Sequence, residues 1–152
     1  MPASSHPDQK ITIHPLAEKY IEPVVSLHQL VLGETLNSRL GKRHLEHLYR
    51  VMLQTPDCFV WIAVSESRPV GFISGALDLD SVKPLLLKTM PISGWINIAL
   101  SFIRHPDLFV KWTHGNQVGR PILMQGKRID PILTTIGIDP NFQGLGIGKR
   151  LI

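Results

Sequence analysis

The chain has 152 residues, 43% of them hydrophobic and 18% charged, with a net charge of +4 and a single cysteine. That length and balance describe one globular domain with a real core and exclude a disordered polyelectrolyte. A lone cysteine excludes an internal disulfide. The polar start, Met-Pro-Ala-Ser-Ser-His-Pro, lacks a signal peptide's apolar stretch, so a cytoplasmic setting is expected.

In chain order, 1–10 read as a flexible tail and 11–152 as one domain. Ile11, Thr12 and Ile13 alternate as a first strand. Across 17–32, Ile21, Val24, Val25, Leu27, Val31 and Leu32 suit a buried helix, with Pro23 marking its first turn or a kink and Gly33 its stop. Leu45, Leu48, Tyr49 and Met52 recur at i, i+3, i+4 and i+7, one face of a second helix. His44 and His47 lie three apart on it. Without carboxylate or thiolate company they are expected to be solvated, and no metal site is expected.

The unbroken apolar run 59–64 predicts a strand covered on both faces. Cys58 at its head has no cation to lower its pKa, which favours a buried structural thiol over a nucleophile. Residues 65–68 make a turn, and 70–77 pair back as a hairpin, where Gly71 and Gly75 suggest bulges or a close approach by another backbone.

Residues 81–129 form a basic, apolar, helical insert. Lys83, Lys88, Arg104, Lys111, Arg120, Lys127 and Arg128 face only Asp107 there, a local balance of +6 that leaves −2 for the rest of the chain. No nucleic-acid reading module accompanies this charge, so nucleic acid is not an expected partner. Between Pro91 and Pro106, Ile92, Trp95, Ile96, Ala99 and Ile103 mark one helical face, while Ile98, Leu100 and Phe102 populate others. The polar stripe of Ser93, Asn97, Ser101 and Arg104 is narrow. A helix so nearly apolar must be covered. The run 92–103 is too short to cross a bilayer, which takes about 20 residues. Three covers stay open: the domain's own sheet, which is the first expectation, a second subunit, or a membrane surface reached through the basic flanks.

A strand over 132–138 leads into the most informative stretch, Ile136-Gly137-Ile138-Asp139-Pro140-Asn141-Phe142-Gln143-Gly144-Leu145-Gly146-Ile147-Gly148-Lys149. Glycines at 144, 146 and 148 strip side chains from a turn, so several N–H groups can converge on one anion. The helix that follows adds its dipole. A phosphate or diphosphate is the natural guest. A dinucleotide fingerprint would need glycine where Lys149 stands, and a nucleotide-triphosphate loop would need Ser or Thr where Arg150 stands.

What fits is Gln143-x-x-Gly146-x-Gly148 after an Ile-Gly-Ile-Asp-Pro strand end. It closely resembles the acyl-CoA loop of the GNAT N-acetyltransferase superfamily. The likeness covers 132–152 at motif level and 11–79 in element order. It implies an α/β (α+β) fold: a mixed, mostly antiparallel sheet flanked by helices, with the helical insert between the third and fourth strands. It also implies an enzyme with acetyl-CoA as cosubstrate, no metal, and a small-molecule or peptide amine attacking the thioester directly in a ternary complex. The alternative is a non-catalytic acyl-CoA-binding module, or one that docks on a membrane or partner.

By the same resemblance, the amides of Gly144, Leu145, Gly146, Ile147, Gly148 and Lys149 would hold the diphosphate, with Gln143 shaping the loop. Main-chain groups of Ile136, Gly137 and Ile138 would pair with the pantetheine arm, Gly137 permitting the close approach. The Ile138 N–H would polarise the thioester carbonyl. The catalytic residues are not identified: the superfamily's commonest slot for a base holds Ile132, and Asp130, Asp78 and Asp80 are bare candidates, while Thr134 and Thr135 better serve the sheet. The leaving thiolate's acid, usually a tyrosine beyond the loop helix, would fall after residue 152. The sequence stops one turn into that helix, so the C-terminal part of such a domain is missing. The chain reads as its N-terminal portion, with half the cofactor cleft absent. A homodimer through the insert or an exposed sheet edge is left open.

Overall fold

The computed structural model describes residues 10–77, 79–107, 122–124, 127–129 and 135–152, without the side chains of 79–81, 83, 122–124 and 127–129. The expected tail lies mostly outside them. The elements are β1 (Thr12–Pro15), α1 (Ile21–Leu32), α2 (Leu36–Arg39), α3 (Lys42–Gln54), β2 (Cys58–Ser65), β3 (Arg68–Ala76), α4 (Leu79–Thr89), α5 (Ile92–Arg104), β4 (Ile122–Met124), β5 (Lys127–Ile129), β6 (Thr135–Ile138) and α6 (Ile147–Leu151). Single 3-10 turns, Glu18–Tyr20 and Pro140–Phe142, precede α1 and the glycine loop. The fold is α+β. Four strands in the order β1-β2-β3-β6 form one sheet, every neighbouring pair antiparallel.

The β2–β3 hairpin is the sheet's spine. Its two-residue turn puts Glu66 at φ 50° and Ser67 at φ 68°, both left-handed, the geometry that matches strand twist in tight hairpins. A register shift falls between Ala63 and Val64, opposite Val70. Side chains then alternate. Val60, Ile62, Val64 and Phe72 join Val24, Val25, Leu45 and Tyr49 in a core under α1 and α3. Ala63, Val70 and Ile73 join Ile147 and Leu151 of α6 on the opposite face. The strand predicted to be covered on both faces is therefore covered, except at the exposed Trp61. Pro23 sits in the first turn of α1, where its missing N–H costs nothing.

The insert departs from expectation. Helix α5 does not lie on the sheet. It packs with Leu36, Leu40, Leu86 and Met90 through Ile98 and Phe102, forming an outer layer beyond α3. Gly94 lets it close on Met90, since a Cβ there would stand 2.7 Å from the Met90 Cγ. The face expected to be buried is the one that is open: Ile92 and Ile103 are 79% and 78% exposed, and Trp95, Ile96 and Leu100 are exposed as well. An unforeseen two-stranded ribbon, β4–β5, also lies in the insert. No helix among the described residues is long and apolar enough to cross a membrane.

Candidate functional site

Strand β6, the last in the sheet, feeds the glycine loop. Its pairing partner is β3, with Gly137 opposite Phe72 and Ile138 opposite Gly71. The Asp139 N–H donates to the Val70 carbonyl at 2.9 Å. Antiparallel ladders alternate bonded and non-bonded pairs, so the polar groups of Gly137 and Thr135 turn toward β3. Those of Ile136 and Ile138 turn outward, to an edge along which no described strand lies.

This arrangement corrects one expectation. Gly137 cannot offer its main chain to a ligand at that edge, because Phe72 takes it. The close approach that glycine permits is made by the Phe72 ring: a Cβ at 137 would stand 2.6 Å from Cε1. Of the three, Ile136 and Ile138 face the edge along which no described strand lies.

The loop itself is anchored at Asp139, which is fully buried. Its Oδ1 accepts from Asn141 N at 2.9 Å and Asn141 Nδ2 at 3.1 Å, capping the 3-10 turn, and its Oδ2 accepts from Arg68 Nη2 at 2.6 Å. Beyond Gln143, Gly144 and Gly146 take φ values of 80° and 70°, left-handed positions that favour glycine. Gly146 is the N-cap of α6. From Gly144 to Lys149, six successive N–H groups donate to no acceptor among the described residues, and the first helical bond is that of Arg150 to Gly146. Gln143, Gly144, Leu145 and Lys149 are exposed, while Ile147 is buried against the sheet and fixes the helix start. Loop and β6 edge thus stand end to end, with the predicted binding residues gathered there.

The sequence reading missed a second feature, on the other face of the sheet. His28, Tyr49, Ser74, Asn37 and Thr135 line a cavity of about 40 Å³ beside β6, room for ordered water. His28 Nδ1 and the Tyr49 hydroxyl are 2.8 Å apart, and the His28 ring stacks on Phe72 at 5.3 Å. His28 Nε2 has no partner among the described residues. Burial holds the His28 imidazole down at about 4 and pushes the Tyr49 phenol upward, so both are neutral near pH 7. The available signal was positional, since His28 follows Val24 and Val25 by four and three residues on the apolar face of α1.

His44, expected to be solvated, is buried instead. Its Nε2 lies 3.2 Å from Asn37 Oδ1, its Nδ1 is without a partner among the described residues, and burial with the nearby His47 holds it at about 4. His47 Nε2 sits 3.1 Å from the Leu86 carbonyl and bridges α3 to α4. Among the described residues no three His, Cys, Asp or Glu side chains come together as a metal site. Cys58 is half-buried, and burial followed by the Asp57 carboxylate pushes its thiol up, the setting of an unreactive sulfur. Asp78, Asp130, Ile132 and Thr134 lie outside the described residues, as does the side chain of Asp80.

Comparison of the chain with protein-family models, with curated proteins and with solved structures finds no match.

Proposed function

We propose that the chain is an acyl-CoA-binding unit of the GNAT type, and that its chemistry is transfer of an acetyl group from acetyl-CoA to an amine. One observation carries the reading: six consecutive backbone N–H groups, Gly144 to Lys149, without an acceptor among the described residues, at a turn opened by two left-handed glycines. Such a nest of amides, reinforced by the start of α6, suits a diphosphate. Continuous with it, the outward groups of Ile136 and Ile138 offer strand-like pairing to an amide-rich arm. That juxtaposition matches coenzyme A, a diphosphate joined to a pantetheine with two amides, better than it matches a simple phosphate.

In this reading the Ile138 N–H, being outward, is placed to donate to a thioester oxygen. One such donor is worth about 3 kcal/mol to a transition state. The amine attacks the carbonyl carbon, the C–S bond breaks, and the thiolate leaves as coenzyme A. The proton goes to a base that none of the described side chains supplies at that edge.

Calorimetric titration of acetyl-CoA into the chain, with a thiol-release assay over an amine panel, tests this. Binding with turnover supports the transferase. Binding without turnover assigns a non-catalytic acyl-CoA module, and absence of binding removes both.

A further inference from the structure

We propose that α5 rests on an anionic phospholipid surface, holding the protein at a membrane face without crossing it. Ile92, Trp95, Ile96, Ala99, Leu100 and Ile103 all point outward, in an arc of about 140° on the helical projection. The opposite arc, with Gly94 and Ile98, is buried against Leu40 and Met90. The helix is therefore held by its own domain along one side, and no described residue covers the other, as an interfacial helix requires. Trp95, with an apolar body and a polar N–H, suits the headgroup boundary.

Charge selects the occupant. Exposed Lys88 precedes the helix, and exposed Arg104 and His105 close it. The only acid in 81–129, Asp107, is paired with Arg39 at 3.2 Å. Lys88 before the helix and Arg104 at its end are drawn to lipid phosphates and would be set against their own kind by a second copy of the stripe. Area argues the same way. The helix is about 20 Å long, so its stripe covers on the order of 200–300 Å², against about 800 Å² per partner in a stable dimer. The inference does not rest on the acyl-CoA reading.

The test is flotation of the full chain with phosphatidylcholine vesicles, with and without phosphatidylglycerol, beside analytical centrifugation of the free protein. The expected result is co-flotation only with phosphatidylglycerol, weakened by high salt, and cut about tenfold or more by the pair Ile96→Asp and Ile103→Asp. Leu30→Asp, an exposed change on α1, should leave flotation intact, and circular dichroism should show every variant folded. Flotation that ignores the Asp pair overturns the proposal. So does a concentration-dependent dimer that the Asp pair dissolves while vesicles remain unbound, an outcome that assigns the stripe to a second copy.

Discussion

Arg68 and Asp139, 71 residues apart in the chain, meet with the guanidinium donating to the carboxylate at 2.6 Å. The bond ties the β2–β3 turn to the entrance of the glycine loop. Arg68 is 67% exposed while Asp139 is wholly buried, so the ion pair is partly screened. The capping bonds from Asn141 carry more of the structural work.

A graded outcome follows at this position. Asp139→Asn retains the Oδ1 acceptor for Asn141 and should cost less than Asp139→Ala, which removes it and leaves the turn's N–H unpaired. The alanine variant should lose about 1–3 kcal/mol by urea denaturation. Equal midpoints for wild type and both variants would show that this carboxylate does not organise the loop.

The Phe72 ring makes Gly137 a steric position. Alanine there must push the ring or β6 outward, because the nearest atoms would lie at 2.6 and 2.9 Å from the new Cβ. Phe72 is fully buried and stacked on His28, so it has little room to yield. Gly137→Ala should destabilise by about 1–3 kcal/mol. Gly148→Ala, whose nearest neighbour would be at 4.0 Å, should be well tolerated in the fold. A reversed order in thermal melts would refute this account of β6.

The loop glycines separate stability from binding. A Cβ on Gly144 or Gly146 meets nothing within 4 Å, so alanine costs only left-handed backbone strain, about 1–2 kcal/mol. Gly144→Asp adds a negative charge beside amides that have no acceptor among the described residues. If they hold a diphosphate, acetyl-CoA affinity should fall by at least about tenfold relative to Gly144→Ala, the gap narrowing in salt. Calorimetry that finds the two variants equal would argue against the diphosphate.

Legibility varied with how local each signal is. The hairpin, the strand before the loop and the start of α6 were readable, because glycine, proline and alternation act within a few residues. Left-handed Gly144 and Gly146 are of this kind. The orientation of α5 was not readable. With apolar residues on most of its circumference, the helix offers no unique inner face, and the small Gly94 that seats it against Met90 carries no hydrophobic signal. His44 was misjudged because its burial depends on α2 and its Asn37, which sequence spacing on α3 alone does not encode. The cavity at His28, Tyr49 and Ser74 assembles from six elements and has no linear signature.

Those two buried histidines set a pH dependence whose sign is fixed. Burial depresses both imidazoles from 6.5 to about 4, so the unfolded chain binds protons that the folded chain refuses. Stability should therefore be complete above about pH 6.5, fall as pH drops toward 4, and stop falling from this cause below that. Each histidine contributes on the order of 1–3 kcal/mol across the window. Urea midpoints at pH 7.5, 6 and 5 read the slope in the upper part of this window. His28→Gln keeps an uncharged polar group beside Tyr49, and together with His44→Gln it should flatten the slope, even if both variants are less stable at pH 7.5. An unchanged slope in the double variant would mean that the protons are taken up elsewhere and that these imidazoles are not buried in solution.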